Sequence, residues 1–125
     1  MIYQNILDAM GRTPMIQLNR MVPEGAARVL VKYEGLNVGG SIKTRVAYNM
    51  IMDAISRGLI HEDTIIVEPT SGNQGIGLAL VASLRGYRSV IVMPDSMSVE
   101  RQRLMAAYGA EVVLTPGALG MTGAI

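Results

Sequence analysis

Short apolar segments alternate with stretches of helical period, and this alternation constrains the fold more than any other feature of the sequence. Apolar runs of about five residues at 64–68, 89–93 and 111–114 are separated by helical patterns of about ten to fifteen residues. Strands that are joined by helices form βαβ units, and their strands lie parallel in one sheet. The sequence therefore predicts an α/β fold with a mostly parallel sheet and flanking helices.

The ends and the burial of the helices can also be predicted. Ser41 is placed to cap the first helix, and Gly58 fits the C′ position that ends it. The apolar face of this helix is expected at Val46, Ala47, Met50, Ile51, Ala54 and Ile55. Residues 74–84 are apolar nearly all round and predict a buried helix. A third helix is expected between Ser98 and Tyr108.

The N-terminal part of the chain has a different organisation. Strands are expected at 15–18 and 28–34, with turn residues between them at 23–25. A glycine-containing loop follows, and we place a domain boundary there. Two strands then lie before this boundary, in residues 1–38, and a βαβ block follows it, in residues 39–125.

The composition argues against several classes of function. Eleven basic residues against ten acidic ones give a net charge of +1, which is too small to hold nucleic acid or an anionic membrane. The absence of cysteine and the single histidine argue against disulfides, thiolate catalysis and a bound metal. The longest apolar run, 75–84, is about half of the roughly 20 residues that a membrane span needs. No signal peptide is apparent, so we expect a cytoplasmic protein.

The strongest functional signal is the turn between the strand at 64–68 and the helix at 74–84. It carries Thr70, Ser71, Gly72, Asn73 and Gln74. Ligands bind beyond the carboxyl ends of parallel strands, and a helix N-terminus offers N–H groups to a carboxylate or phosphate. The plainer alternative is an ordinary turn that is capped by Ser or Asn. A nucleotide-binding Rossmann module is disfavoured, because two residues separate the first two glycines where the short-chain dehydrogenase pattern has three.

A second candidate is Lys43, which follows two glycines at the start of a predicted helix. The positive end of the helix dipole disfavours a cation there, and partial withdrawal from water disfavours it further. Both effects favour the neutral amine that attacks aldehydes, and so a Schiff-base lysine. The alternative is a solvated surface lysine. A P-loop is excluded because Ser41 and Ile42 separate the last glycine from Lys43.

Several motifs follow one another in a recognisable order. They are Gly11-Arg12-Thr13-Pro14, Gly39-Gly40-Ser41-Ile42-Lys43, Glu68-Pro69-Thr70-Ser71-Gly72-Asn73, Met97-Ser98-Val99-Glu100-Arg101 and Ala107-Tyr108-Gly109-Ala110-Glu111. Together they resemble the cysteine synthase (O-acetylserine sulfhydrylase) family of fold-type II pyridoxal-phosphate enzymes. The resemblance implies an incomplete tryptophan synthase β-like fold, with residues 1–38 as N-terminal strands of the large cofactor-binding domain. Residues 39–125 would then form a small βαβ substrate-binding domain that continues beyond the last residue. It also implies a β-replacement that forms L-cysteine from O-acetyl-L-serine and sulfide, a homodimer, and serine acetyltransferase as a partner.

The resemblance further implies roles for individual residues. Lys43 matches the lysine that joins pyridoxal 5′-phosphate through a Schiff base and then removes the α-proton of the substrate. Asn73 matches the asparagine that hydrogen-bonds the 3′ oxygen of the cofactor. Residues 70–74 match the loop that binds the α-carboxylate of the amino-acid substrate, which agrees with the helix N-terminus there.

Two departures from the family pattern leave the reaction open. Gln74 stands in the carboxylate loop where many relatives have threonine. The phosphate cup of the family and the serine that meets the pyridine nitrogen lie beyond residue 125. We therefore expect residues 1–125 alone to bind the cofactor weakly and not to catalyse the reaction. The alternatives are a related β-replacement enzyme with another nucleophile or activated serine, and a catalytically silent, truncated chain that acts as a binding module.

Overall fold

Two separate sheets form the β-structure of the protein, whose computed structural model describes residues 2–125. Strands β1 (Met15–Gln17) and β2 (Leu30–Lys32) pair antiparallel. The second sheet is parallel and contains, in spatial order, β3 (Ile65–Pro69), β4 (Arg88–Pro94) and β5 (Glu111–Thr115). The predicted α/β class with a mostly parallel sheet is confirmed. Strand β2 is shorter than the predicted 28–34, because the chain turns at Glu34.

Helices connect the parallel strands. The helices are α1 (Lys43–Ser56), α2 (Asn73–Leu84), α3 (Val99–Ala107) and α4 (Gly120–Ala124). Short 3-10 turns lie at Ile6–Ala9, Glu34–Leu36, Val38–Gly40 and Gly117–Leu119. Helix α2 joins β3 to β4 and α3 joins β4 to β5, as the alternation in the sequence predicts. In the part of the chain that the structure describes, no helix is long and apolar enough to cross a membrane.

The predicted helix ends have identifiable causes. Gly58 has a φ of 65°, and its N–H donates to the Ile55 carbonyl at 3.0 Å. The Leu59 N–H donates to the Ala54 carbonyl at 2.9 Å. This pair of bonds is a Schellman motif, in which a glycine in the left-handed region ends the helix. At the start of α3, the Ser98 hydroxyl accepts a backbone hydrogen bond and so acts as the predicted cap.

Helix α2 lies at the centre of the core. Its residues 75–82 are buried, which confirms the predicted buried helix. One cluster joins α2 to α1 and contains Leu7, Ala47, Ile51, Leu78, Val81 and Ala82. A second cluster joins α2 to the sheet and α3 and contains Ile76, Ala79, Ile91, Met93, Met105 and Ala110. Packing on α2 therefore sets the relative positions of α1 and α3.

Two predictions of burial are wrong. Val46 and Met50 belong to the expected apolar face of α1, yet they are 38% and 49% exposed. The contact with α2 buries a narrower line of α1, namely Thr44, Ala47 and Ile51. The strand at 64–68 has the composition of a buried strand, yet Ile65 and Val67 are exposed. Strand β3 lies at one edge of the described sheet, where less of it is covered.

Candidate functional site

Lys43 is the first residue of α1, and it is exposed. The Ser41 hydroxyl accepts a hydrogen bond from the Lys43 N–H at 3.2 Å, so Ser41 makes the capping bond that the sequence predicts. The expectation that Lys43 is partly withdrawn from water is wrong, because the first turn of α1 lies at the surface. The sequence contains one other lysine, Lys32, whose amine donates to the Thr13 carbonyl at 2.8 Å.

A carboxylate–guanidinium pair holds the first turn of α1 from the side. Arg45 Nε and Nη2 donate to the two carboxylate oxygens of Glu34 at 2.9 and 3.0 Å. Two parallel bonds fix the guanidinium plane as well as its distance. The Glu34 side chain is only 14% exposed. Arg45 lies at the positive end of the α1 dipole, where a cation alone is disfavoured, and the Glu34 carboxylate offsets this.

Neutral side chains complete the hydrogen bonds of Glu34. The Thr13 hydroxyl donates to one carboxylate oxygen, and the Asn37 amide donates to the other at 3.0 Å. The hydrogen bond from Arg45, followed by that from Thr13, lowers the pKa of Glu34 from its ordinary value of 4.5 to about 2. This network crosses the domain boundary predicted between residues 38 and 39, which stays a prediction.

The turn at 70–74 is anchored to β4 at its first residue, and its Gly72 N–H is only weakly bonded. Thr70 is buried, and its N–H donates to the Val92 carbonyl at 3.0 Å, which ties the turn to β4. Further along, the Gly72 N–H reaches the Thr70 hydroxyl only at 3.5 Å, the outer limit of a hydrogen bond. The remaining N–H groups at the start of α2 point out of the helix in the way that suits an anion.

The two amide side chains of this turn have different surroundings. Asn73 is the first residue of α2 and is exposed. The Gln74 amide nitrogen lies 3.5 Å from the Met50 sulfur of α1, so its side chain is directed at the neighbouring helix. Gln74 therefore offers its backbone rather than its amide to a ligand at the turn.

A close helix crossing brings the start of α1 against the second turn of α2. A Cβ atom on Gly77 would lie 2.9 Å from the Lys43 carbonyl oxygen and 3.2 Å from the Ala47 Cβ. Any side chain at position 77 would push the two helices apart, so glycine permits this contact. Asn73 precedes Gly77 by about one helical turn. The predicted lysine therefore lies at this contact, and the predicted carboxylate turn lies about one helical turn away from it along α2.

Two contacts at this site are not predicted by the sequence. Glu34 is not singled out, although an arginine in the first turn of α1 is a signal that a carboxylate lies nearby. Arg101 is exposed on α3, and its Nη1 donates to the Ser71 carbonyl at 3.0 Å. No local pattern links two residues that are 30 positions apart. Among residues 2–125, no group of three or more potential metal-binding side chains occurs.

This arrangement can bind a carboxylate at one helix start and present an amine at the other. A sequence model of the family described as pyridoxal-phosphate dependent enzymes matches residues 6–125. The chain belongs to this family. Its members require pyridoxal phosphate, which confirms the cofactor implied by the resemblance of the motifs.

The relatives of the chain within this family include cysteine synthases. The probable cysteine synthase of Bacillus subtilis (strain 168) is 53% identical over 99% of this chain, which corresponds to 40% of that protein. The crystal structure of a hydrogen sulfide-producing enzyme from Fusobacterium nucleatum is 45% identical, with a TM-score of 0.90 over 99% of this chain and 40% of the other.

A third relative is O-ureido-L-serine synthase. It has been solved as a lysine-to-alanine variant with O-ureido-L-serine bound, and it is 50% identical with a TM-score of 0.87. The match covers 99% of this chain and 38% of that structure. These likenesses confirm the fold class, and the chain spans about 40% of the length of the curated relatives it matches.

Proposed function

We propose that the native polypeptide that contains residues 1–125 catalyses a pyridoxal-phosphate-dependent β-replacement. The reaction converts O-acetyl-L-serine and hydrosulfide to L-cysteine and acetate. Family membership and 53% identity to a probable cysteine synthase support this proposal. The observation that carries it is the crossing at Gly77, because an exposed lysine lies there about one helical turn from a helix start that suits a carboxylate.

The side chains near this crossing fit the aldehyde end of the cofactor. Lys43 offers an exposed amine, whereas the amine of Lys32 is engaged with a backbone carbonyl. Asn73 offers an exposed amide that can donate to the 3′ oxygen of the cofactor. When bound, pyridoxal phosphate supplies an electron sink for the negative charge that develops at the substrate Cα.

Each group of the chain has a separate task in this proposal. Lys43 Nζ holds the cofactor and takes the proton from the substrate Cα. The N–H groups of residues 72–74 orient the substrate carboxylate at the start of α2. The ion pair of Glu34 and Arg45 keeps the first turn of α1 in place, so that Nζ returns to one position during the reaction.

A second candidate is a β-replacement with another nucleophile. O-ureido-L-serine synthase is nearly as similar to this chain, at 50% identity, as the cysteine synthases are. Assays with O-acetyl-L-serine and either sulfide or hydroxyurea separate the two candidates. We expect the higher kcat/KM with sulfide, and a higher value with hydroxyurea would favour the second candidate.

The family resemblance extends the proposal to the setting of the protein. It supports a homodimer, an association with serine acetyltransferase and a cytoplasmic location. Sedimentation of the native polypeptide, alone and mixed with serine acetyltransferase, tests the two associations. We expect a dimer when the polypeptide is alone and a larger complex in the mixture. A monomer that does not bind serine acetyltransferase would contradict both associations.

Borohydride trapping tests the lysine directly. The native polypeptide is loaded with pyridoxal phosphate, reduced and digested, and the labelled peptide is identified by its mass. We expect the label on Lys43. Turnover of Lys43→Ala should fall by about 10²–10⁴-fold, the range for losing a positioned proton-transfer group.

Lys32→Arg is the matched control for this experiment. Arginine can still donate to the Thr13 carbonyl, so this variant should keep both the label and the turnover. A label on a lysine other than Lys43, or full turnover in Lys43→Ala, would show that the assignment is wrong.

A further inference from the structure

Helix α3 contacts the 70–74 turn region at two points that lie one helical turn apart. Arg101 Nη1 donates to the Ser71 carbonyl at 3.0 Å. Four residues later, the Met105 side chain packs against Gly75, where an added Cβ would come within 3.0 Å of Met105 Cε. Met105 is fully buried in the core between α2 and the sheet. The buried methionine therefore fixes the helix that carries Arg101 to the turn.

The contact with Arg101 fixes the orientation of one peptide group. The peptide between Ser71 and Gly72 is planar and trans, so its C=O and N–H point in opposite directions. Because Arg101 binds the carbonyl oxygen, the Gly72 N–H points away from this guanidinium. That N–H is weakly engaged, at 3.5 Å from the Thr70 hydroxyl, so it remains available to a better acceptor.

We infer that Arg101 is a positioning residue, which orients the Ser71–Gly72 peptide so that the Gly72 N–H donates to the α-carboxylate of the amino-acid substrate. The inference rests on the proposed function and deepens it. It names a backbone donor for the substrate and a side chain on another helix that aims this donor. A carboxylate is the acceptor that gains most from such an N–H, because hydrogen bonds to charged groups are stronger than neutral ones.

Arg101 is suited to this role more than to a role in stability. It is exposed, and an exposed guanidinium contributes little to folding. The core contact that stabilises α3 comes from Met105 instead. Removal of the Arg101 side chain should therefore leave the fold intact and release the Ser71–Gly72 peptide.

The test measures the binding of L-serine to the native polypeptide loaded with pyridoxal phosphate. L-serine carries the α-amino and α-carboxylate groups of the substrate, but its hydroxyl is a poor leaving group. Its dissociation constant is followed through the change in the absorbance of the cofactor. Arg101→Ala should raise this constant about tenfold or more, the effect of losing an aligned bond to a charged group.

Three further measurements separate positioning from a general structural effect. Arg101→Lys should recover part of the affinity, because an ammonium can still donate to the Ser71 carbonyl. Arg103→Ala removes the same charge from the same exposed helix and should bind L-serine as the wild type does. In Arg101→Ala, KM for O-acetyl-L-serine should rise more than kcat falls, with an unchanged melting temperature.

Two results would overturn the role of Arg101 while the proposed function stands. One is a wild-type dissociation constant for Arg101→Ala, and the other is an equal loss of affinity in Arg103→Ala. A wild type that carries the cofactor on Lys43 but does not bind L-serine would overturn the role of Arg101 together with the proposed substrate class. The absorbance titration of the wild type distinguishes these failures.

Discussion

The start of α1 packs against the second turn of α2, yet the chain holds the two helix starts very differently. At α1, two bonds join Arg45 to a Glu34 side chain that is 14% exposed, and the fully buried Thr44 donates its hydroxyl proton to the Val38 carbonyl. At α2, the N–H of Gly72, the residue just before the helix, has a partner only at 3.5 Å. The start of α1 is thus fixed without a ligand, whereas the Gly72 N–H at the start of α2 is available to a ligand.

The two helix starts also differ in the charged side chains that lie near them. Neither helix has an acidic residue in its own first turn. Glu34 reaches the start of α1 from outside the helix and forms an ion pair there. Near the start of α2, the guanidinium of Arg101 donates a hydrogen bond to the Ser71 carbonyl. A rigid helix start that carries an amine at α1 and an anion-binding turn at α2 are the two requirements of the proposed reaction.

Among the effects on substrate binding and stability, the largest is expected from the turn, because the family resemblance assigns residues 70–74 to substrate binding rather than to the fold. Ser71→Ala and Asn73→Ala should each weaken L-serine binding by about 1.5–3 kcal/mol, the cost of one charge-assisted hydrogen bond. Their melting temperatures should stay close to that of the wild type. Asn49→Ala, at an exposed position of α1, is the matched control and should change neither quantity. If both turn variants bound L-serine with wild-type affinity, the turn would have only a structural role.

A smaller effect is expected where the two helix starts touch. Alanine at position 77 would place its Cβ 2.9 Å from the Lys43 carbonyl oxygen, so the helices must separate. Such overpacking costs about 1–3 kcal/mol in the free energy of unfolding, and the better helix propensity of alanine, about 1 kcal/mol, offsets part of it. Denaturant unfolding of Gly77→Ala measures the net loss. Gly72→Ala, whose Cβ would meet nothing within 4 Å, is the control for stability. Equal stability of both variants would mean that the crossing is looser than described.

The smallest expected effect is a pH dependence of stability that arises from the Glu34–Arg45 pair at the start of α1. The pKa of Glu34 is about 2 in the folded chain and 4.5 when the group is unperturbed. A lowered pKa stabilises the folded state above about pH 4.5, and this contribution is lost as the pH falls towards about 2. The difference in melting temperature between the wild type and Glu34→Gln should therefore shrink over this window.

A second ion pair on α1 provides the control for this titration. Asp53 and Arg57 are bonded at 3.2 Å, but their side chains are 54% and 63% exposed. Exposed pairs of this spacing contribute about 0.3–0.5 kcal/mol, so Asp53→Asn should differ little from the wild type. If Glu34→Gln behaved as Asp53→Asn does at every pH, the first turn of α1 would not be held by the Glu34 pair.

Features that depend on neighbouring residues could be predicted from the sequence. Residues 74–84 are apolar nearly all round, and such a helix must be buried. Gly58 and Ser98 act within one helical turn of themselves, so their roles follow from their position. The Thr70–Gln74 turn is recognisable because strand and helix patterns meet there.

Features that depend on the packing of distant segments could not be predicted. The periodicity of α1 shows which side is apolar, but the contact at Gly77 decides how much of that side is covered, and Val46 remains exposed. Glu34 and Arg45 are 11 residues apart and meet because two 3-10 turns fold the chain back between them. The reach of Arg101 to Ser71 depends on where Met105 fixes α3.

Amide hydrogen exchange on the native polypeptide, with and without L-serine, tests the contrast between the two helix starts most directly. Without ligand, we predict slow exchange in residues 41–45 and faster exchange in residues 71–75. The Lys43 and Arg45 N–H groups donate at 3.2 and 3.1 Å, whereas the Gly72 N–H has a partner only at 3.5 Å. L-serine should slow exchange in residues 71–75 several-fold and leave residues 41–45 unchanged. Two results would contradict the assignment of the amine to the rigid start of α1 and of the substrate carboxylate to α2. One is equal protection of the two segments without ligand, and the other is protection by L-serine of residues 41–45 alone.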